Sequence, residues 1–401
     1  LEVKVLRVAH LHSQKIRGGA EVACNRISSA LGRLSGIYSL VIPVNPLPTC
    51  FEKLFSAWRY RFENILFGWG FSETLTPTAY SPRLNEGQWD LVHLHSPYNS
   101  GLTIEEIGRI SRRVPTIFTI HDARWILWSV APPLGQDNGS SFSAWGKRAT
   151  RDLGSRFLRF RLQMLVRKLW VVYPSTWLKD QATVAGLRNE KRSTVIPSPV
   201  GTAFFEVGCT KQRAKVSIGI RPDMPMILFV AWKAWKSRGD MNKGYDILEQ
   251  AIPLLRSSHD FEFVILGHPG DSVPKHLNAR LLSPDGSQEQ VARIMRAADF
   301  VVGPSRQEAL GLVVQEALAT GTPALVSAST GYLDVVDDGI TGYYFEPGSP
   351  EDFVRMASRM LEDRNELVNM GKRARERARD RWHPAHVAEQ YFQFYLRAIQ
   401  A

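Results

Sequence analysis

The chain has 401 residues, a formal net charge of +11, a hydrophobic content of 44% and 30 glycines. That length exceeds one ordinary core, so two soluble α/β domains of similar size are the default, and no apolar run approaches the roughly 20 residues of a membrane span. The positive charge favours polyanionic partners such as a nucleotide sugar or an anionic membrane surface; nucleic acid is not expected, because no zinc-finger spacing or RNA-binding aromatic motif accompanies it.

Val3 to Ala9, which carries Lys4 and Arg7, reads as a first strand rather than an export leader. Cys24, Cys50 and Cys209 lie far apart and form no metal or redox motif. They fit a reducing, cytoplasmic compartment. On that expectation the Asn138-Gly139-Ser140 sequon is fortuitous.

After the first strand, Arg17-Gly18-Gly19-Ala20-Glu21 forms the turn into a helix to about Leu34. Two glycines at a strand-to-helix turn either bring backbone N–H groups against a phosphate or simply make a tight turn. Ser39 to Val44 is the second strand. Pro46 to Pro82, with Trp58, Tyr60, Phe62 and Trp69, reads as a helical and loop insertion that walls a substrate cleft or serves packing. Trp89 to Leu94 is strand-like and ends in His93-Leu94-His95-Ser96. A helix follows around Leu102 to Ser111, then a strand from Pro115 to Ile120 that delivers His121-Asp122.

Ligands of open parallel sheets bind at the carboxyl ends of strands, which places His121 well. It either donates to a sugar hydroxyl or a leaving phosphate, or is a packed histidine beside an N-capping Asp122. Between Lys147 and Lys168 lie eight arginines and lysines, with Leu158, Leu162, Leu165 and Leu169 forming a stripe. The stripe suits an anionic membrane surface or the core of a domain. Strands at Trp170 to Pro174 and Ser193 to Ile196 bracket a helix from Thr176, and the domain boundary falls within Pro197 to Phe205.

In the second half, Met226 to Ala231 is the clearest buried strand. It leads to a loop with four cationic side chains, Lys233, Lys236, Arg238 and Lys243, before a helix over Tyr245 to Leu255. Cations there neutralise a diphosphate leaving group, as a metal ion does elsewhere. A strand at Phe261 to Leu266, a polar loop to Ser283 and a helix over Gln288 to Ala297 follow. Next, PSRQEALGLVVQEALATGTP spans Pro304 to Pro323 between the apolar runs Phe300 to Gly303 and Ala324 to Val326.

That stretch reads as strand, loop, short helix over Leu312 to Ala319, strand. Glu308 falls on the loop and Glu316 inside the helix. Gly311 lets the backbone approach a ligand, and the amides of Leu310 to Val313 offer a helix N-terminus to an anion. Gly339, Gly342 and Gly348 interrupt the pattern. Two helices over Glu351 to Arg381 and an aromatic helix over Trp382 to Ala398 close the chain.

Pro304-Ser305, Glu308-x7-Glu316, Gly321-Thr322-Pro323, Gly331 and Asp337-Asp338-Gly339-Ile340-Thr341-Gly342 resemble the retaining glycosyltransferases of family 4. Gly18-Gly19, His93-x-His95, Thr119-Ile120-His121-Asp122 and Lys243-Gly244 extend the resemblance over nearly the whole chain. The His95 and His121 region looks most like the colanic-acid and exopolysaccharide branch. The resemblance implies a GT-B architecture of two Rossmann-like domains across a cleft, with residues 1–200 on the acceptor side, 201–380 binding the nucleotide sugar, and 381–401 a helix returning to the first domain.

By the same resemblance, Glu316 binds ribose hydroxyls and Glu308 the transferred sugar, with His121 beside it. Gly18, Gly19, Gly311 and Leu312 meet the diphosphate through their backbone. Lys243 and Arg238 match the family's phosphate-binding pair, with Lys236 the alternative to Arg238, and Asp334 stands where a glutamate is frequent. The implied donor is UDP- or GDP-linked, without a metal or other cofactor, and the acceptor is a saccharide, a lipid-linked sugar or a small molecule. A nucleotide-sugar epimerase and a non-catalytic carbohydrate-binding protein are the rival readings.

Overall fold

A computed structural model of the chain describes residues 5–13, 18–44, 88–95, 104–121, 163–187, 189–230, 243–267 and 273–401. The chain divides into two compact units, Leu1–Pro199 with Pro384–Ala401, and Val200–His383. Each holds a six-stranded sheet in which every described strand pairing is parallel.

In unit 1 the strands are β1 (Leu6–Ser13), β2 (Ile37–Val44), β3 (Leu91–His95), β4 (Thr116–Thr119), β5 (Trp170–Tyr173) and β6 (Ser193–Val195), in the order β2-β1-β3-β4-β5-β6. The edge position of β2 accommodates Pro43, which has no N–H to give to a ladder. Helices α1 (Gly19–Leu31), α2 (Ile104–Ser111) and α3 (Thr176–Val184) connect strands of this sheet. β1 reaches further than its sequence pattern suggested, to Ser13 rather than Ala9, because His10 and His12 are buried residues of the strand and not the start of a polar loop.

In unit 2 the strands are β7 (Met226–Val230), β8 (Glu262–Leu266), β9 (Arg280–Leu282), β10 (Phe300–Gly303), β11 (Ala324–Ser327) and β12 (Gly342–Phe345), in the order β12-β11-β10-β7-β8-β9. The helices are α4 (Thr202–Phe205), α5 (Lys211–Ser217), α6 (Tyr245–Arg256), α7 (Gln288–Ala297), α8 (Leu312–Ala319), α9 (Tyr332–Val335), α10 (Pro350–Glu362) and α11 (Arg364–Trp382). The most apolar strand in the sequence, β7, is central. Both outer strands correct the sequence reading. β9 forms where a polar loop was expected, and β12 begins at Gly342, where glycine was expected to interrupt the pattern. A Cβ at Gly342 would lie 2.1 Å from the Ala324 carbonyl oxygen, so the residue is small in order to pair closely with β11.

The last helix, α12 (Pro384–Gln400), belongs to unit 1. Its Tyr391, Phe394 and Tyr395 recur at helical spacing and are at most 1% exposed, in a core with Val8, Leu91, Ile117 and Trp170. Full burial of a large apolar side chain contributes about 1.5–3 kcal/mol, which suffices to dock a helix. Among the described residues no helix is long and apolar enough to cross a membrane. The Pro46 to Pro82 insertion, Asp122, most of Lys147 to Lys168, and Lys233, Lys236 and Arg238 lie outside the described residues. Leu165 and Leu169, two members of the leucine stripe, are 7% and 1% exposed, so that part of the stripe serves the core.

Candidate functional site

Each sheet order reverses once. In unit 2 the chain moves outward from β7 through β8 to β9, then restarts at β10 on the opposite side. The carboxyl ends of β7 and β10 therefore form the place where ligands of such sheets bind. Lys243 ends the β7 connection and Glu308 lies in the loop after β10. The structure brings these two predicted residues together: Lys243 Nζ donates to Glu308 Oε1 at 2.5 Å.

Backbone geometry makes that contact. Gly244 caps α6 in the left-handed region at φ 66°, and a Cβ there would lie 2.0 Å from the Pro304 carbonyl oxygen. Only glycine lets the β7 connection press against the β10 loop, so that Lys243 reaches Glu308. Ser305 Oγ donates to the same Glu308 Oε1 at 2.9 Å. The Glu308 amide donates to Thr330 Oγ1 at 2.9 Å, and the Gly331 amide donates to the Glu308 carbonyl at 2.9 Å. Thr330 itself holds φ 52°, a sparsely populated conformation for a β-branched residue and one that the surrounding bonds must sustain.

Gly331 has an ordinary φ but no room, since a Cβ would sit 2.6 Å from the Ala309 carbonyl carbon. Nearby, Arg306 grips Asp246 in the first turn of α6 through two bonds of 2.8 and 2.7 Å. These hydrogen bonds hold the Arg306 guanidinium above its ordinary pKa.

Gly311 caps α8 at φ 96°. The Tyr332 ring fills the space a side chain would take, 2.7 Å from where a Cβ would be, so packing alone already requires glycine there. The Gly311 carbonyl accepts from Val314 and Gln315, which leaves the Leu312 and Val313 amides in the first turn without intrahelical carbonyls. Leu310 is 4% exposed and anchors the loop in the core, and Glu316 is 9% exposed inside α8. The structure thus places Gly311, Leu312 and Glu316 on the element that directly follows the Glu308 loop.

In unit 1 the reversal lies between β1 and β3. Gly18 is the extended N-cap of α1, with no side-chain cap bond, and Gly19 opens the helix exposed. On the sheet, strand alternation carries His10 and His12 of β1, His93 and His95 of β3, and Thr119 and His121 at the end of β4 to one face. His10 Nδ1 lies 3.0 Å from His95 Nε2, and His95 Nδ1 lies 2.9 Å from His121 Nε2. His93 uses both nitrogens on hydroxyls, Tyr395 at 2.7 Å and Thr119 at 2.7 Å. Burial lowers His10 and His121 to about 3, and lowers His93 and His95 well below the ordinary value.

The rings are therefore neutral at pH 7. Ligand atoms of His10, His93 and His95 lie within 4.8 Å of one another, which is metal-like spacing. An ion there would have to break hydrogen bonds on both nitrogens of His93 and His95. Sequence reading overlooked His10 and His12, although His10-Leu11-His12 repeats the spacing of His93-Leu94-His95 on a neighbouring strand.

Residues 211–377 match the family described as glycosyl transferases group 1, and residues 17–204 match Glycosyltransferase Family 4. An uncharacterized glycosyltransferase of Methanocaldococcus jannaschii is 28% identical over 220 residues, covering 51% of this chain and 54% of that protein. A D-inositol 3-phosphate glycosyltransferase of Nocardia farcinica is 29% identical over 228 residues, covering 53% and 49%. The chain thus spans about half the length of these relatives. Among solved structures, sucrose-phosphate synthase of Thermosynechococcus elongatus superposes with a TM-score of 0.68 at 17% identity, over 98% of this chain and 99% of that one. Anabaena HepE in complex with UDP superposes with a TM-score of 0.63 at 14% identity, over 97% and 99%. The two parallel-sheet domains and the C-terminal helix match the architecture of these proteins.

Proposed function

As a GT-B fold chain related to the group 1 and family 4 glycosyltransferases, this protein, we propose, transfers a sugar from a nucleoside diphosphate donor to an acceptor hydroxyl with retention of configuration. The observation that carries the reading is the Lys243–Glu308 pair at the sheet reversal of unit 2, beside the open first turn of α8. A cation next to amides without intrahelical carbonyls suits a diphosphate, and a carboxylate held by Ser305, on a backbone fixed by Thr330, suits sugar hydroxyls.

Lys243, with Arg238 and the amides of Gly311 and Leu312, neutralises the diphosphate; Glu316 accepts from ribose and Glu308 from the transferred sugar. In unit 1 the Gly18-Gly19 turn is assigned to phosphate and His121 to the sugar. The C1–phosphate bond breaks while the acceptor oxygen bonds C1 on the same face, and a departing phosphate oxygen takes the acceptor proton. These residues perform the charge stabilisation without a metal ion. HepE was crystallised with UDP, which supports a UDP-linked donor. Assignment to exopolysaccharide synthesis rests on the His95 and His121 motifs. A cytoplasmic location, with the basic segment 147–168 against anionic lipid when the acceptor is lipid-linked, belongs to the same proposal.

The test is a screen of UDP-, GDP-, dTDP- and ADP-sugars by thermal shift, followed by product mass spectrometry with and without acceptor. Lys243→Ala is expected to lower kcat/KM by roughly 10²-fold or more, in the range of deleting an oxyanion donor. Its stability should change by only about 1 kcal/mol, because the Lys243 end of the pair is solvent-exposed. An unchanged kcat/KM sinks the assignment; a free isomerised sugar made without acceptor identifies an epimerase instead.

A further inference from the structure

The three rings His10, His95 and His121 form an unbranched chain of N–H···N bonds running from the interior of β1 to the end of β4. A neutral imidazole has one N–H and one lone pair, so choosing a direction at any link sets every link. Two directions exist. In one, His121 donates from Nε2 to His95 Nδ1, and His95 donates from Nε2 to His10 Nδ1. His10 must then carry its proton on Nε2. That atom is buried and has no hydrogen-bond partner among the described residues, so an N–H donor would be stranded in a residue of 0% exposure. In the other direction, His10 donates from Nδ1, His95 donates from Nδ1, and only a bare acceptor lone pair is left at His10 Nε2. Orphaned buried N–H groups are rarer than unfilled acceptors.

We propose that His10 and His95 are positioning residues whose one-way hydrogen-bond chain holds His121 as the Nδ1–H tautomer, so that His121 acts as a donor and not as a base. Its Nε2 accepts from His95, and Nδ1–H is the only ring group it has to offer. The neighbours do not compete for the chain. His93 packs against His95 in a tilted pair, 3.9 Å between ring centroids, but spends its own nitrogens on Tyr395 and Thr119. Hydroxyls both donate and accept, so His93 imposes no direction. His12, at the end of β1, is 6% exposed and faces Glu21 of α1, which pulls toward its protonated form against burial. The role follows chemically: a donor stabilises a sugar oxygen or a departing phosphate oxygen, whereas the acceptor proton goes elsewhere. The proposal rests on the assignment of His121 to the transferred sugar for its functional half only.

The experiment is long-range 1H–15N correlation on the full chain labelled with 15N-histidine at pH 7.5, with ring signals assigned by single His→Gln variants. His10, His95 and His121 are expected to show the pattern of protonated Nδ1 and bare Nε2. Protonated Nε2 on these rings, or displacement of the His10, His93 and His95 signals by added zinc ion, overturns the proposal. That spectrum needs neither donor nor acceptor, so it stands or falls independently of the transferase reading. With an identified donor, His95→Phe should lower kcat about 10-fold while leaving nucleoside diphosphate affinity unchanged. His95→Gln, whose amide can donate to His121 Nε2, should recover most of the loss. Equal loss in both variants, at urea midpoints matching the parent chain, overturns the positioning role.

Discussion

The two sheets share strand number and parallel pairing, yet they build their candidate chemistry from different materials. Unit 2 uses loops: Gly244 and Gly331 let backbone segments approach within distances a side chain forbids, Gly311 makes room for the Tyr332 ring, and the polar groups sit on the segments so placed. Unit 1 uses the sheet itself, burying a layer of imidazoles where Val8, Leu91, Ile117 and Trp170 form an apolar layer one step earlier along the same strands. The lesson is that a charged ligand and a neutral one ask for different supports. In the proposed reading phosphate would be met by amides and a cation at a loop, where the exposure of Lys243 costs little. A neutral donor has to be kept neutral, and burial does that.

Acidification should break the contrast most strongly. His10 and His121 titrate near 3 in the folded chain, against about 6.5 unfolded, and His93 and His95 are also lowered. Below pH 6.5 the unfolded chain therefore binds more protons, so stability falls as pH falls toward 3, by about 1.4 kcal/mol per pH unit for each ring that stays neutral. Hydrogen exchange at pH 7.5, 6 and 5, corrected for intrinsic rates, should show unit 1 losing protection several kcal/mol before unit 2. Equal loss in both units removes the imidazole layer as the cause.

A methyl group tests the loop-built half. Gly331→Ala places a Cβ against the backbone of Ala309 and Leu310, which cannot rotate away as a side chain would. Overpacking of this kind costs about 1–3 kcal/mol. The urea midpoint should drop accordingly, and nucleoside diphosphate affinity should weaken as the Glu308 loop shifts. Full affinity in this variant would mean that the loop is not part of the nucleotide site.

The smallest effect sharpens the division of labour between the glutamates. Glu316→Gln should weaken nucleoside diphosphate binding by roughly tenfold, about 1.4 kcal/mol, the order of a hydrogen bond to a charged group. Glu308→Gln should leave that affinity unchanged or slightly tighter, because it removes the carboxylate that competes with phosphate for Lys243, while transfer slows. Calorimetry on both variants decides. Weaker binding in Glu308→Gln alone would exchange or dissolve the two roles.

Long periodic elements were legible in the sequence. The apolar run of β7, the α7 helix after Ser287 and the strand-loop-helix-strand order from Phe300 to Val326 all form as their patterns indicate. Ser287 even caps α7 by accepting from Gln290. The outer strands β9 and β12 were not legible, because runs of only three or four residues carry no period of their own and take strand form from the neighbour they pair with. Gly311 was legible as a special position, but its occupant was not: Tyr332 lies 21 residues on, and local sequence says nothing of which ring arrives there.

What the sequence determined by itself, then, is the alternation of strands and helices, the glycine positions where backbone must turn or approach, and the polar residues available at strand ends. Those follow from local conformation and hydrophobic period, which act over a few residues. Tertiary structure decided which of these residues meet. Lys243 and Glu308 are 65 positions apart, His10 and His95 are 85, and His93 reaches Tyr395 across 302. Such pairings depend on strand order, and strand order is settled by burial of both sheet faces at once. The neutrality of the imidazoles belongs to the same level, since it comes from burial in the folded unit; His93, for one, packs against Tyr391 and Tyr395 of α12.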